Sequence, residues 1–266
     1  MTKTIVVPLD GSELAERSLP TAAWLGRELG CQIRLMTTNL GGDTAAEEAY
    51  LRDQATKAGA ASIDVEVVDH RFPARGVQDC VEALADPVIC MTTRGRGGLA
   101  EVLLGSVSDE IVRGVQVPVV LVGPHCVAGE PPSRTVVLSV DGSDASFAAL
   151  PTVADWAPRL GLDVHVVTVA QCGSTGEPDS RSVAAHELVD EVAAKLATLG
   201  TGAKTHVLNS GHPADVIVAF AKGLPAALIA IGTHGAGGLS ARALGQVADG
   251  IVRHSPCPVL VRRIPG

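Results

Sequence analysis

"TIVVPLDGSELAERSLPTAAWLGRELG", residues 4–30, is answered 131 positions later by "TVVLSVDGSDASFAALPTVADWAPRLG", residues 135–161. Asp10, Gly11, Ser12, Pro20 and Gly30 fall in register with Asp141, Gly142, Ser143, Pro151 and Gly161. Each stretch reads as a β-branched strand, an Asp-Gly-Ser turn and a helix. The correspondence continues downstream. "MTTRGRGGLAEVLLGS" (91–106) has its counterpart in "AIGTHGAGGLSARALGQ" (230–246), where Gly95 and Gly105 answer Gly235 and Gly245 at an offset of 140. "IVRGVQVPVVLV" (111–122) then answers "IVRHSPCPVLVR" (251–262), so the second copy is longer in its middle, near "QCGSTGEPDS" (171–180). Between the copies, "GPHCVAGEPPSR" (123–134) is rich in Pro and Gly and reads as a linker. Copies this long make tandem globular domains rather than a solenoid. The expected boundaries are 1–123 and 134–266, with the linker at 124–133.

Within the first copy, short strand-like runs alternate with helical stretches. They are "TIVVPL", a helix from Glu13 to Leu29, "QIRLMTT", a helix over 43–58, "IDVEVVD", a helix over 75–84, "PVICMTT", a helix after Gly105, and "VPVVLV". This alternation predicts an α/β fold: two tandem Rossmann-like domains, each an open parallel sheet with helices on both faces. Composition agrees. The chain is 46% hydrophobic but only 2% aromatic, so its core must be built of Val, Ala, Leu and Ile, as buried parallel strands prefer. Trp24 and Trp156 read as helix residues covering the sheet. No apolar run approaches the ~20 residues of a membrane span, and "MTKTIVVPLDG" lacks signal-peptide anatomy, so a cytoplasmic protein without a membrane partner is expected.

In such sheets ligands bind beyond the carboxyl ends of the strands, at the switch point. Two features fall there: "LDGS" after the first strand and the glycine-rich loop after the fourth. Asp10 and Asp141 have two readings, a hydrogen-bond acceptor for a ligand hydroxyl or an N-cap of the following helix. The loop also has two. Glycines and a helix N-terminus beginning near Gly105, with the Ser106 hydroxyl, outline an anion site, yet a plain connecting turn has the same composition. It is neither a P-loop nor a dinucleotide fingerprint. No catalytic set is visible, and no metal-ligand spacing. The six cysteines (31, 80, 90, 126, 172 and 257) read as reduced structural thiols. His70, His125, His186 and His206 read as surface residues, and His234 lacks a nucleophile partner. A formal net charge of −8, with acidic residues in excess in both halves and few aromatics, argues against nucleic acid.

Taken together, these residues resemble the universal stress protein family in its tandem form. The ATP-binding branch of that family carries the pattern G-x2-G-x9-G-[ST], here "TTRG" to "GS" and "GTHG" to "GQ". The likeness covers nearly the whole chain twice and implies a five-stranded parallel sheet of order 3-2-1-4-5 in each domain. It also implies ATP as the ligand, with Mg as a companion ion. In domain one, Pro8, Leu9, Thr38 and Met91 would line the adenine pocket and Asp10 would hold the ribose. Gly95, Gly105, Ser106 and Val107 would cradle the phosphates, with Thr92 standing where the pattern has its first glycine. In domain two the same roles would fall to Val140, Val169 and Ile231, to Asp141, and to Gly232, Gly235, Gly245, Gln246 and Val247, with Gln246 in place of the hydroxyl residue. The intact phosphate end favours domain one; Gly232 counts for domain two. The last strands (117–122 and 258–263) would pair the domains as family dimers do, and the tandem chain would itself be open to homodimerisation. The expected role is a nucleotide-dependent stress-response regulator with little or no hydrolysis, acting on an unknown protein partner. The alternative is a nucleotide-free interaction module, which Thr92 and Gln246 motivate. An ATP-using transferase has no substrate-side constellation to support it.

Overall fold

The computed structural model describes residues 3–41, 43–59, 63–95, 104–127, 131, 133–170, 180–209, 211–233 and 244–264. The chain divides into two compact units, one over Met1–Val122 and the other taking Gly123–Val127 and Pro131–Gly266. The early part of the expected linker thus belongs with the second unit. There Cys126 is buried, and the Val127 N–H donates to the Pro256 carbonyl at 3.1 Å.

The first unit runs β1 (Thr4–Pro8), α1 (Glu13–Glu16), α2 (Leu19–Leu29), β2 (Gln32–Asn39), α3 (Ala45–Ala58), β3 (Ile63–Asp69), α4 (Pro73–Glu82), β4 (Val88–Thr92), α5 (Ser106–Gly114) and β5 (Val119–Val122). Its strands lie in the order β3-β2-β1-β4-β5, and each neighbouring pair is parallel. Ile5, Val6 and Val7 of the central strand are fully buried, which requires cover on both faces of the sheet. After β3 the chain returns to place β4 beside β1, and the tips of these two strands flank the switch point.

One expectation is corrected. The helix predicted over Glu13–Leu29 is two helices, broken at Arg17 and Ser18. Pro20, in the first turn of α2, has no N–H to give to the preceding turn, so a continuous ladder is impossible. The Ser18 hydroxyl, fully buried at the break, donates to the Ala15 carbonyl at 2.8 Å.

The second unit repeats the plan as β6 (Thr135–Ser139), α6 (Asp144–Phe147), α7 (Leu150–Leu160), β7 (Asp163–Ala170), α8 (Ser180–Thr198), β8 (Ala203–Asn209), α9 (Pro213–Gly223), β9 (Leu228–Gly232), α10 (Gln246–His254) and β10 (Val259–Arg262). Its order is β10-β9-β6-β7-β8, again parallel throughout. Trp24 and Trp156 are buried on α2 and α7, as expected. Cys31, Cys80, Cys90, Cys126 and Cys257 are free thiols; Cys172 and the expected insertion at 171–179 lie outside the described residues.

The two copies fill one half-buried position between sheet and helix differently. In the first, Arg34 on β2 pairs with Glu66 (2.9 Å) and Asp64 (3.0 Å) on β3, and Cys80 of α4 donates to Glu66. The matching positions in the second hold His165 on β7, His206 on β8 and Phe220 on α9. The two imidazoles meet at 2.9 Å between Nδ1 and Nε2, and the Phe220 ring centroid lies 4.8 Å from that of His206. His206, expected at the surface, is half-buried and paired with His165, which is buried.

Burial pushes both imidazoles below the usual histidine value of 6.5. For His165, His206 and Lys204 add to the shift and Asp163 opposes it; for His206, Lys204 adds to it. Falling pH then protonates the unfolded chain first. The pair's contribution to stability is complete above the unfolded value and is lost as pH drops below it. The thermal midpoint should fall between about pH 7.5 and about pH 5.5, and His206→Gln, neutral throughout, should make that fall shallower. An unchanged slope in the variant would assign the acid response to other groups.

Candidate functional site

The tip of β1 sets the site. The Leu9 N–H still donates to the Met36 carbonyl of β2, at 2.8 Å, and the chain then turns away through Asp10, Gly11 and Ser12. Gly11 has φ 78 and Gly142 φ 83, a left-handed conformation that glycine adopts without a Cβ penalty. Asp10 Oδ1 accepts from the Ser12 N–H at 3.0 Å and from the Ser12 hydroxyl at 2.6 Å. Ser12 Oγ in turn accepts from the Ala15 N–H at 3.2 Å and caps α1. The second unit repeats the clasp, with Asp141 holding Ser143 at 3.0 and 2.6 Å and Ser143 capping α6. The capping role therefore belongs to Ser12 and Ser143; the aspartates stand outside the helices and orient the caps.

Asp10 Oδ2 lies against Gly95, where a Cβ would overlap it. This brings the tips of β1 and β4 together. Beyond β4, the Thr92 hydroxyl donates to the Arg94 carbonyl at 2.7 Å, and the Thr93 carbonyl accepts from the Gly105 N–H at 2.8 Å. Gly105 is the N-cap of α5 and has no side chain to satisfy the amides that follow it. Helix α5 therefore opens at Ser106 and Val107 with its positive end uncapped by a side chain. Asp109, in the first turn, is paired with Arg113 instead.

These tips bound a cleft of about 780 Å³ in the first unit. All ten residues expected in domain one line it: Pro8, Leu9 and Asp10 beyond β1, Thr38 on β2, Met91, Thr92 and Gly95 at β4, and Gly105, Ser106 and Val107 at α5. Sequence reasoning missed the opposite wall. Ala46, Glu47 and Tyr50 of α3 and Pro73 and Val77 of α4 also line the cleft, as does Arg94. Tyr50 is the single tyrosine of the chain, the one signal that singled it out. Its hydroxyl donates to Glu16 at 3.0 Å, and burial together with that carboxylate pushes its pKa up, so the phenol stays protonated.

In the second unit Val140 and Ile231 are buried, Val169 and Val247 half-buried, and Asp141 exposed. Gly245 is again an N-cap without a side-chain bond, and the exposed Gln246 starts α10. Gly235 and His234 lie outside the described residues. Gly232 does something other than expected. A Cβ there would overlap the Ala145 carbonyl, so the glycine admits the backbone of α6 rather than opening room for a ligand. Among the described residues no group of three or more His, Cys, Asp or Glu is placed to hold a metal ion, and no helix is long and apolar enough to cross a membrane.

A five-stranded parallel unit in tandem, with its cleft at the switch point, defines an α/β protein of the Rossmann-like class. The chain belongs to the universal stress protein family, whose sequence profile matches residues 1–123 and 132–263. Universal stress protein Rv1996 of Mycobacterium tuberculosis is 30% identical over 189 residues, covering 67% of this chain and 59% of the relative. Rv2623 of the same organism is 29% identical over 225 residues, covering 82% and 72%. The match to the first thus spans about three fifths of that relative's length. A crystal structure of a universal stress protein from Archaeoglobus fulgidus superposes with a TM-score of 0.68 over 98% of this chain and 96% of its own, at 22% identity, and shares the fold.

The clasp generates a stability prediction. Ser12→Ala removes the cap of α1 and should cost about 1 kcal/mol in denaturant unfolding. Equal stability of variant and parent would mean that the turn holds without the cap.

Proposed function

We propose that the first unit binds ATP and that the chain acts as a nucleotide-dependent stress-response regulator with little or no hydrolysis. The observation that carries this reading is the pairing, in one cleft, of a strand-tip carboxylate with an open helix N-terminus. The Asp10 carboxylate suits ribose hydroxyls. The Ser106 and Val107 amides, the Ser106 hydroxyl and Arg94 suit phosphates, since an anion there gains both N–H donors and the helix dipole. Met36, Met91, Val77 and Pro73 give an apolar slot for a base. The volume lies within the range of small-ligand pockets. A magnesium ion would enter with the phosphates, because the protein supplies no three-ligand cluster of its own among the described residues. Among the described residues no nucleophile and base are paired in the cleft, which fits a binder better than an enzyme. A cytoplasmic protein working through a protein partner completes the reading.

The second unit is the weaker site. Gln246 sets a longer side chain at the helix start, where side-chain entropy opposes close approach by phosphate. Gly232 offers no compensation, since its space is taken by α6. The nucleotide-free alternative therefore fits this unit best, as an interaction module beside a binding one.

Calorimetric titration of the full chain with ATP tests the reading. Asp10→Asn should weaken the tight site about ten- to hundredfold, the worth of hydrogen bonds to a charged acceptor, while Asp141→Asn should leave that site intact. Mass spectrometry of the denatured, purified chain should release co-purified nucleotide. Unchanged affinity in Asp10→Asn would remove the ribose role, and a parent chain that binds no ATP would overturn the nucleotide reading.

A further inference from the structure

One wall of the cleft holds a group that nothing so far explains. Glu47, half-buried in the first turns of α3, lines the cavity, and one of its two carboxylate oxygens, Oε2, is cut off from solvent with no hydrogen-bond partner among the described residues. A buried carboxylate oxygen without a donor is costly, and folded chains rarely keep one without cause. Two hydroxyls of this region are committed elsewhere. Tyr50, one turn along, gives its proton to Glu16 at 3.0 Å, and Ser12 gives its own to Asp10 at 2.6 Å.

The second copy shows what the fold itself needs at this position. Leu51 and Gln54 are the buried residues of α3, and Val189 and Val192 fill the same packing positions on α8. That register sets Ala185 opposite Glu47 and Leu188 opposite Tyr50. A contact confirms it: Leu188 lies 3.7 Å from the Cβ position of Gly142, the counterpart of Gly11, against which Tyr50 packs. An alanine thus satisfies the packing, and the second unit has no carboxylate at the position equivalent to Glu47.

We propose that Glu47 turns its carboxylate into the first cleft to read the nucleoside part of the ligand, accepting a hydrogen bond from an N–H or O–H donor that enters there. This rests on the nucleotide reading above. The cationic end of the cleft, at Arg94 and the start of α5, suits phosphates, and a carboxylate repels them; the neutral donors of a nucleotide are the exocyclic amine of its base and its ribose hydroxyls. Glu47 selects for whichever of these reaches it. It discriminates between ligands, because an analogue lacking the donor leaves Oε2 as unpaired as it is in the empty cleft.

The full chain and Glu47→Ala are titrated calorimetrically with ATP, 2′-deoxy-ATP, 3′-deoxy-ATP and inosine triphosphate, with and without magnesium. The variant should bind ATP about tenfold or more weakly, as expected for a hydrogen bond to a charged group. One analogue should bind the parent chain as weakly as ATP binds the variant, and should lose nothing further in the variant. Inosine triphosphate in that place identifies the amine, and a deoxynucleotide identifies the hydroxyl. Ligand-free Glu47→Gln should melt at or above the parent's temperature, because Oε2 has no hydrogen bond to lose. Equal losses for every ligand, no loss for any, a loss seen only with magnesium, or a clearly lower melting temperature for Glu47→Gln would each overturn the assignment. A parent chain that binds ATP beside a variant that binds it equally well sinks this inference alone; a parent that binds none sinks the nucleotide reading and this one with it.

Discussion

Asp10 touches Gly95 where no side chain fits, and this contact ties the first strand tip to the fourth. Much else in the first unit depends on it. Oδ1 of the same carboxylate holds Ser12, and Ser12 holds α1, so one aspartate fixes the direction in which the chain leaves β1. Its other oxygen faces the segment that leads from β4 toward α5. Either a longer side chain at Asp10 or a Cβ at Gly95 would push the two tips apart, and the cleft lies between them.

Duplication has kept the turns and released the half-buried positions around them. The Asp-Gly-Ser clasp recurs with the same distances in both units, and Gly105 and Gly245 are both N-caps without side-chain bonds. Around that common frame the side chains diverge. An Arg34–Glu66 ion pair in one unit is a pair of stacked imidazoles in the other. Glu47 and Tyr50 on α3 become Ala185 and Leu188 on α8. Backbone geometry at a tight turn admits few residues, whereas a position between helix and sheet accepts any pair of similar volume whose polar atoms are satisfied. Divergence of function between two copies is therefore expected in the packing positions that reach the cleft, not in the turns that frame it.

The organisation of the chain was legible in its sequence. The repeat at fixed offsets established two units, and strands alternating with helices at spacings that allow only crossover connections made each sheet parallel. The switch-point rule then placed Asp10, Gly95, Gly105 and Ser106 together, although they are far apart in the chain. All of these sit at strand tips or helix starts, where sequence signals are strongest. The break between α1 and α2 was readable in principle from Pro20, but the apolar spacing continues across it and hides it.

The far wall of the cleft had no such signal. Helix α3 buries only Leu51 and Gln54, so its polar face shows no periodicity from which Glu47 could be aimed at anything. The role of Gly232 was equally hidden, because a glycine that admits a ligand and one that admits a neighbouring helix are the same letter. His165 and His206 become partners only through the pairing of β7 with β8 and the packing of α9 over both. Sequence by itself determined the fold, the duplication and the strand-tip wall of the cleft, since those follow from local periodicity and turn chemistry. Tertiary structure alone decided which helix side chains close the cleft and which buried groups face one another, since these depend on the rotation and register of helices over the sheet, which no short stretch of sequence encodes.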